Sequence, residues 1–433
     1  MSNNGHKTIK TADVVFRDDL YPRIETSAVT VQKYAEDLDV LPPIEVNQHN
    51  ELIDGWHRWT AHKKNGVETI RAILTETKSD VHFLELAIER NAKHGIQLSI
   101  DDKENMAIKI WLGTPAKEQA AKEGELQRIL SVGAKQIQRF LSRTKKEKKE
   151  GARKQAFNMW LACATQQEIS AELTLDQGTV SKWIEEFMNF GQMSEFHKTQ
   201  AKHADESFHA PIYNIWKQQE KTSGSNHFGN SEIRWLDNLL YLYTRPFDVV
   251  IDPFAGGGST VDLCRKRFRR YYVSDRKPIV EREKEIRAHD LTEGLPKPPQ
   301  WKDVRLVYLD PPYWKQAAGE YSDDPTDLAN MPLDQFNKTL ADIINGFAKK
   351  LTNEDGAYIA LIIQPTQWKA PERQFTDHVG DMLRAVKLPV DMRFSVPYES
   401  QQCNAQMVEW AKENKRCLVL TREIIVWRVA NGT

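Results

Sequence analysis

With 433 residues, 40% of them hydrophobic and 28% charged, the chain has the composition of an ordinary water-soluble protein with room for two or three domains. Its formal net charge of −1 excludes a uniformly basic nucleic-acid binder, so affinity for nucleic acid would have to come from local patches. No apolar run approaches the roughly 20 residues of a membrane span, the opening MSNNGHKTIK lacks the apolar core of a signal peptide, and Cys163, Cys264, Cys403 and Cys417 show no C-x-x-C pairing. A reducing cytoplasm is therefore expected, with no membrane partner, no disulfide frame and no metal site.

From about 14 to 73 the pattern is one of short strands and turns. IEVNQHNELIDG reads as a hairpin with a polar tip at His49 and Asn50, and a helix starts near Trp56. The segment IDGWHRWTAHKKNGV resembles the G-x-H-R…A signature of ParB-like domains. The resemblance implies a small α+β domain over 1–98, with Gly55, His57 and Arg58 facing phosphate where backbone N–H groups at a helix start favour anions. AIERNAKHG (87–95) corresponds to the next nucleotide-contacting segment of that family. Trp56 and the looser second segment depart from the pattern, leaving nucleotide binding, DNA docking and a structural role all open. Sulfiredoxin chemistry would need a cysteine beside Gly55, and a ParB-like nuclease would need a cluster of metal-binding acids; neither is found in this segment.

Residues 99–190 read as a helical DNA-binding region with two helix-turn-helix candidates. In GELQRILSVGAKQIQRFLSR, Leu126, Ile129, Leu130, Ile137, Phe140 and Leu141 fall at helical spacing around a turn at 131–133. In TQQEISAELTLDQGTVSKWIEEF, Ile169 and Leu173 precede a turn at Leu175 and Asp176, and Val180, Trp183 and Ile184 follow it. Gln177, Thr179, Ser181 and Lys182 then lie off the apolar face, where a recognition helix presents side chains to the major groove. Between the two, TKKEKKEGARK offers Lys145 and Lys146 for phosphate contacts. The alternative is a plain helical bundle with a solvated charge run.

Residues 191–206 lose periodicity and read as a linker to a domain spanning 207–433. A polar stretch holding His227, Gly229 and Asn230 precedes an amphipathic helix at 233–243. FDVVIDPFAGGGST then gives a buried strand ending at Asp252, a glycine loop at 256–258 and a helix start at Ser259. No lysine follows the last glycine, as a phosphate-binding loop would require. The basic run CRKRFRR reads as the exposed end of that helix. RRYYVSD is a strand ending at Asp275, AHDLTEGLP supplies Asp290, and RLVYLD is a buried strand ending at Asp310. A parallel sheet would put the three strand-ending carboxylates on one rim.

Asp310 opens the sequence DPPYW. Pro311 and Pro312 fix their own φ, extend the residue before them and contribute no N–H, so carbonyls point outward as free acceptors. Asp310 and the Pro311 carbonyl can each accept one N–H of an amine on a planar ring, and Tyr313 offers a face for that ring. Two acceptors that favour a pyramidal, increasingly cationic nitrogen stabilise the transition state more than the ground state.

DPPYW and DPFAGGGST together resemble the motifs of amino-group DNA methyltransferases, which methylate N6 of adenine or N4 of cytosine. The likeness covers the second half of the chain, whose closing stretch also resembles the ends of phage and mobile-element methyltransferases. It implies a Rossmann-like, mostly parallel α/β methyltransferase domain with S-adenosylmethionine as cofactor. Asp310, Pro311, Pro312 and Tyr313 would be catalytic. His227, Gly229, Asn230, Asp252, Phe254, Gly256, Gly258, Asp275 and Asp290 would hold the cofactor, with Asp275 on the ribose hydroxyls and Asp290 on the adenine amine. Phe228 and Asn230 depart from the family's usual proline and glutamine.

Beyond Trp314 a polar loop, an amphipathic helix (333–351), a buried strand (AYIALIIQP, 357–365) and a closing antiparallel pair are expected. By resemblance the aspartate at 310 favours adenine N6 in double-stranded DNA over cytosine N4. A ParB-type partition regulator with a non-catalytic second half is the rival from another class, and RNA or protein-glutamine methylation is a rival within enzymes. The sequence leaves the recognition site, homodimerisation and any restriction partner open.

Overall fold

The structure, a computed structural model, describes residues 6–22, 27–93, 98–217, 232–315, 323–367, 375–397 and 405–429. The chain divides into two compact units, 1–151 and 152–433.

In the first unit, β1 (His6–Lys10), α1 (Ala28–Ala35), β2 (Ile44–Val46), β3 (Leu52–Asp54), α2 (Trp56–Lys64) and β4 (Thr69–Leu74) build a four-stranded sheet of order β1-β4-β2-β3. The expected hairpin is β2–β3, with Asn50 at its tip in the left-handed region (φ 58°). Ile9, Ile44, Val46, Leu52, Ile70 and Ala72 form its core. Four helices follow: α3 (Asp80–Lys93), α4 (Ile100–Gly113), α5 (Gln119–Ile129) and α6 (Ala134–Leu161). The apolar positions read from the first helix-turn-helix candidate, Leu126, Leu130, Ile137, Phe140 and Leu141, are buried in their shared core. However, α6 runs straight through TKKEKKEGARK, so that basic segment is helix and not a connection. Nothing in it breaks a helix except Gly151, and one glycine costs only about 1 kcal/mol.

The second unit takes in the end of α6 and continues with α7 (Gln166–Leu173), α8 (Gln177–Met188), α9 (Glu195–Ala201) and α10 (Ile233–Tyr243). Next come β5 (Val249–Asp252), α11 (Ser259–Lys266), β6 (Arg270–Asp275), β7 (Arg287–Ala288), β8 (Val304–Leu309), α12 (Leu333–Lys350) and β9 (Ala357–Ile363). The short pair β10 (Thr366–Gln367) and β11 (Phe375–Thr376), α13 (His378–Ala385), β12 (Val390–Pro397), α14 (Ala405–Glu413) and β13 (Thr421–Val429) complete it. Seven strands make one sheet in the order β12-β13-β9-β8-β5-β6-β7, parallel from β9 to β7, with β13 antiparallel to both its neighbours. Side chains alternate between faces, as strand geometry dictates. Val250, Leu306, Ala360 and Ile424 pack beneath α10 and α11, whereas Ile251, Val307, Ile359 and Ile425 pack beneath α12 and α13. The mostly parallel α/β expectation describes this unit.

Three expectations need correction. The division falls at 151/152, and the helix pair α7–α8 shares a hydrophobic cluster with the large sheet through Trp160, Ile169, Val180 and Trp183. The stretch 191–206 contains α9 and packs as structure: its His203 is buried, 2.9 Å from an Asp237 oxygen, and its Asp205 pairs with Arg267. Nor is CRKRFRR an exposed helix end. Arg267 donates to both Asp237 oxygens at 2.8 and 2.7 Å, and Arg269, equally buried, donates to Thr244 and to the Ala201 carbonyl. Polar residues are buried here because they neutralise one another, which local polarity does not reveal.

Candidate active site

The parallel register puts the carboxyl ends of β6, β5 and β8 side by side, and Asp275, Asp252 and Asp310 stand at those ends. Crevices at such strand ends are where open α/β sheets bind ligands.

Below the rim lies Asp252. One oxygen accepts the Phe254 N–H at 2.9 Å and the other the Thr260 hydroxyl at 2.5 Å, and the side chain is buried. Burial pushes its carboxyl up to about 7; repulsion from Asp310 and Asp275 adds to this, and the Thr260 and Phe254 bonds oppose it. Asp252 thus braces the glycine loop from beneath, with one bond to each of its oxygens. Above it, Gly256 and Gly258 have φ of 47° and 83°, values that favour glycine. A β-carbon at Gly258 would meet the Arg282 side chain at 2.7 Å. Phe254 is half-buried at the start of the loop.

Asp275 is aimed by backbone: one oxygen accepts the Gly256 N–H and the other the Lys277 N–H, both at 2.9 Å. Asp290 lies two residues beyond β7 on the same rim, where it accepts the Thr292 N–H at 2.9 Å. Burial raises its carboxyl, but the Thr292 bonds and the Arg276 guanidinium, 2.8 Å away, hold it below the usual range. His227, Gly229 and Asn230 lie outside the described residues.

Asp310 follows β8 directly and its Oδ1 accepts the Tyr313 hydroxyl at 3.2 Å. Pro311 is buried, and Pro312 and Tyr313 are half-buried. The Arg422 guanidinium lies over one face of the Tyr313 ring, 5.2 Å from its centre, and also 5.4 Å from the centre of Trp235. Trp314 is locked behind the motif: its indole N–H donates to the Met331 carbonyl at 2.8 Å and its own carbonyl accepts the Thr366 hydroxyl at 3.2 Å. His378 stands 2.9 Å behind Thr366, and burial pushes its imidazole down to about 4, so it is neutral at physiological pH.

Arg276, Arg282 and Arg422 are site residues that sequence reasoning missed. None belongs to a motif, and only the fold brings them to the rim.

The residues singled out for DNA are spread over two helices. Lys145 is turned inward, 2.7 Å from Glu123, whereas Lys146 is 77% exposed. On α8, Gln177 and Lys182 are exposed and Thr179 and Ser181 half-buried, and the Thr179 hydroxyl is bonded to Asp176. In the first unit Arg58, expected to face phosphate, pairs with Asp54 at 2.7 Å. No group of His, Cys, Asp and Glu able to hold a metal occurs among the described residues, nor does a helix long and apolar enough to cross a membrane.

Compared with known proteins, residues 63–282, just over half of the chain, match the DNA methylase family of N6 and N4 methyltransferases. The matched span includes the glycine loop and β6 and ends before Asp290 and Asp310. No curated protein matches. Solved structures similar in part include the C-terminally truncated chromosome-partitioning protein ParB from Caulobacter crescentus complexed with CTP-γ-S. It is 17% identical, covers 31% of this chain and 98% of its own, and has a TM-score of 0.20. Another is the Burkholderia thailandensis 1,6-didemethyltoxoflavin-N1-methyltransferase with bound 1,6-didemethyltoxoflavin and S-adenosylhomocysteine (14% identity, 46% and 78% covered, TM-score 0.28). A SAM-dependent methyltransferase from Aquifex aeolicus is 14% identical, with 46% and 97% covered and a TM-score of 0.24. Scores this low leave the assignment to the family match.

Proposed function

The chain belongs to the family of N6 and N4 DNA methylases, and from that premise we propose that it methylates the exocyclic N6 amine of adenine in double-stranded DNA after the base leaves the helix. The observation that carries this reading is the adjacency of β5 and β8, which sets Asp310 beside the glycine loop.

The methyl donor is S-adenosylmethionine. The rim suits it, because carboxylates accept from ribose hydroxyls and an adenine amine but repel phosphate, and this donor carries none. Asp275 would take the ribose and Asp290 the adenine amine, with the loop backbone of Gly256 and Gly258 in close approach. Phe254 would pack on the adenine, and His227, Gly229 and Asn230 would line the methionine end. When bound, the donor supplies an electrophilic methyl group on a sulfonium.

The remaining work falls to the chain's own side chains. Asp310 and the Pro311 carbonyl hold the two N–H groups of the target amine, turning the nitrogen lone pair out of conjugation and stabilising the positive charge that grows on it. Pro312 keeps the turn stiff. Tyr313, over which Arg422 lies, would supply the aromatic ring on which the base stacks. Such stacking is worth about 1 to 3 kcal/mol, which partly offsets the few kcal/mol of extruding a base. Deprotonation follows methyl transfer, when the nitrogen is already cationic, so no strong base is required.

For holding the duplex, α6 has the charge. It carries nine lysines and arginines against two glutamates, and Lys135, Arg139, Arg143, Lys146 and Lys149 recur at three- and four-residue spacing on one exposed face. The α7–α8 pair has five acidic residues against Lys182, so Gln177, Thr179 and Ser181 could read base edges only on a duplex held by other groups.

The test is tritiated methyl transfer to unmethylated DNA, RNA and protein in parallel, followed by mass spectrometry of the nucleosides. Asp310→Ala should lower turnover on DNA by on the order of 10² to 10³ with donor affinity unchanged. A variant as fast as the parent would end the proposal, and N4-methylcytosine in the digest would move it to cytosine.

A further inference from the structure

Arg276 joins the two halves of the rim. Its Nε lies 2.8 Å from Asp290 on the donor side, and its Nη2 lies 2.7 Å from Asp324 and 3.2 Å from the Thr326 hydroxyl. Asp324 belongs to the segment that follows the catalytic motif, and its hydrogen bonds are of the kind that fix a turn. One of its oxygens accepts both the N–H and the hydroxyl of Thr326, at 2.8 and 2.7 Å, while its carbonyl accepts from Asn330 and from the Asp327 N–H at 3.0 Å each. The two bonds from Thr326, with the Arg276 guanidinium, hold the Asp324 carboxyl down to about 2, so it is charged at any working pH.

The far end of that segment grips the motif itself. The Ala329 carbonyl accepts the Lys315 N–H at 3.1 Å, and the Met331 carbonyl accepts the Trp314 indole. A contiguous chain of hydrogen bonds and ion pairs therefore runs from Asp290 through Arg276, Asp324 and the 326–331 turn to the residues next to Tyr313. A guanidinium suits the junction because its planar fork can serve two carboxylates at once, which an ammonium does with less directionality.

We propose that Arg276 is a positioning residue that couples donor binding to the seating of the catalytic motif. This rests on the donor reading given above. A donor amine held by Asp290 fixes that carboxylate, and the carboxylate fixes the guanidinium. The guanidinium in turn orders the 324–331 turn against Trp314 and Lys315. Coupling of this kind is reciprocal, so loosening the turn must also weaken the donor.

The experiment is calorimetric titration of the full chain with S-adenosylhomocysteine, chosen because its sulfur is neutral and long-range charge effects are small. The parent, Asp324→Asn, Thr326→Val, Arg276→Gln and the Arg276→Gln/Asp324→Asn double variant are compared, with thermal unfolding to verify folding. Asp324→Asn and Thr326→Val should each weaken binding by roughly fivefold, the low end of usual coupling. The double variant should be no weaker than Arg276→Gln alone. If Asp324→Asn and Thr326→Val bind as the parent does, or if the effects of Arg276→Gln and Asp324→Asn simply multiply, the coupling is refuted while the donor reading stands. A parent with no affinity for S-adenosylhomocysteine would refute the donor reading, and the coupling with it.

Discussion

Asp252 carries a cost that its position makes calculable. An aspartate in an unfolded chain ionises near pH 3.9, whereas burial moves this one to about 7. Between those values the folded chain keeps a proton that the unfolded chain has lost, so its contribution to stability falls as pH rises. The slope is about 1.4 kcal/mol per pH unit, up to roughly 4 kcal/mol across the window. Asp252→Asn cannot titrate and preserves the shape. Its stability relative to the parent should be constant below about pH 4, climb toward neutrality and level off above, as urea unfolding at several pH values would read. Parallel pH profiles for the two proteins would contradict this. That an aspartate ends this strand was legible from FDVVID. That it is buried under the loop was not, because burial depends on Thr260, eight residues further on, folding back over it.

Elements with regular periodicity were readable from local pattern. The helix at 233–243 and the hairpin tip at Asn50 lie where spacing put them, and the buried strand expected over 357–365 runs over 357–363. Elements held by charge were not, since Arg267 finds Asp237 and Asp205 at separations of 30 and 62 residues. Such a cluster is sensitive to losing one member. Arg267→Ala would take the guanidinium from two carboxylates, 8% and 13% exposed, leaving Asp205 only the more distant Lys266 at 3.9 Å and Asp237 only His203. The expected loss is about 3 to 5 kcal/mol in denaturant unfolding. A loss below about 1 kcal/mol would mean the pair is solvated and is worth no more than a surface ion pair.

At the scale of the whole molecule, the division at 151/152 decides where the chain can be cut. A fragment of 152–433 keeps Trp160, Ile169, Val180 and Trp183 in the cluster with the large sheet, and should bind the donor as the full chain does. A fragment from 191 removes those side chains and should be insoluble or lose its cooperative unfolding. The longer fragment also lacks seven of the nine cations of α6. Its DNA affinity should depend less on salt, with a slope smaller by about 0.9 for each phosphate that the missing cations no longer neutralise. An unchanged slope would remove α6 from the DNA surface. The split was not legible because the polar stretch at 191–206 looks like a boundary, while the division itself lies within a continuous helix.

The placement of β13 bears on biosynthesis. This strand fits between β9 and β12, yet both leave the ribosome before it does. Until residues 421–429 emerge, the nascent polypeptide presents β9 with one unpaired row of backbone groups and an apolar flank, a template for sticking to other chains. A premature stop before Thr421 would make that state permanent, and its product should collect with chaperones or in inclusion bodies.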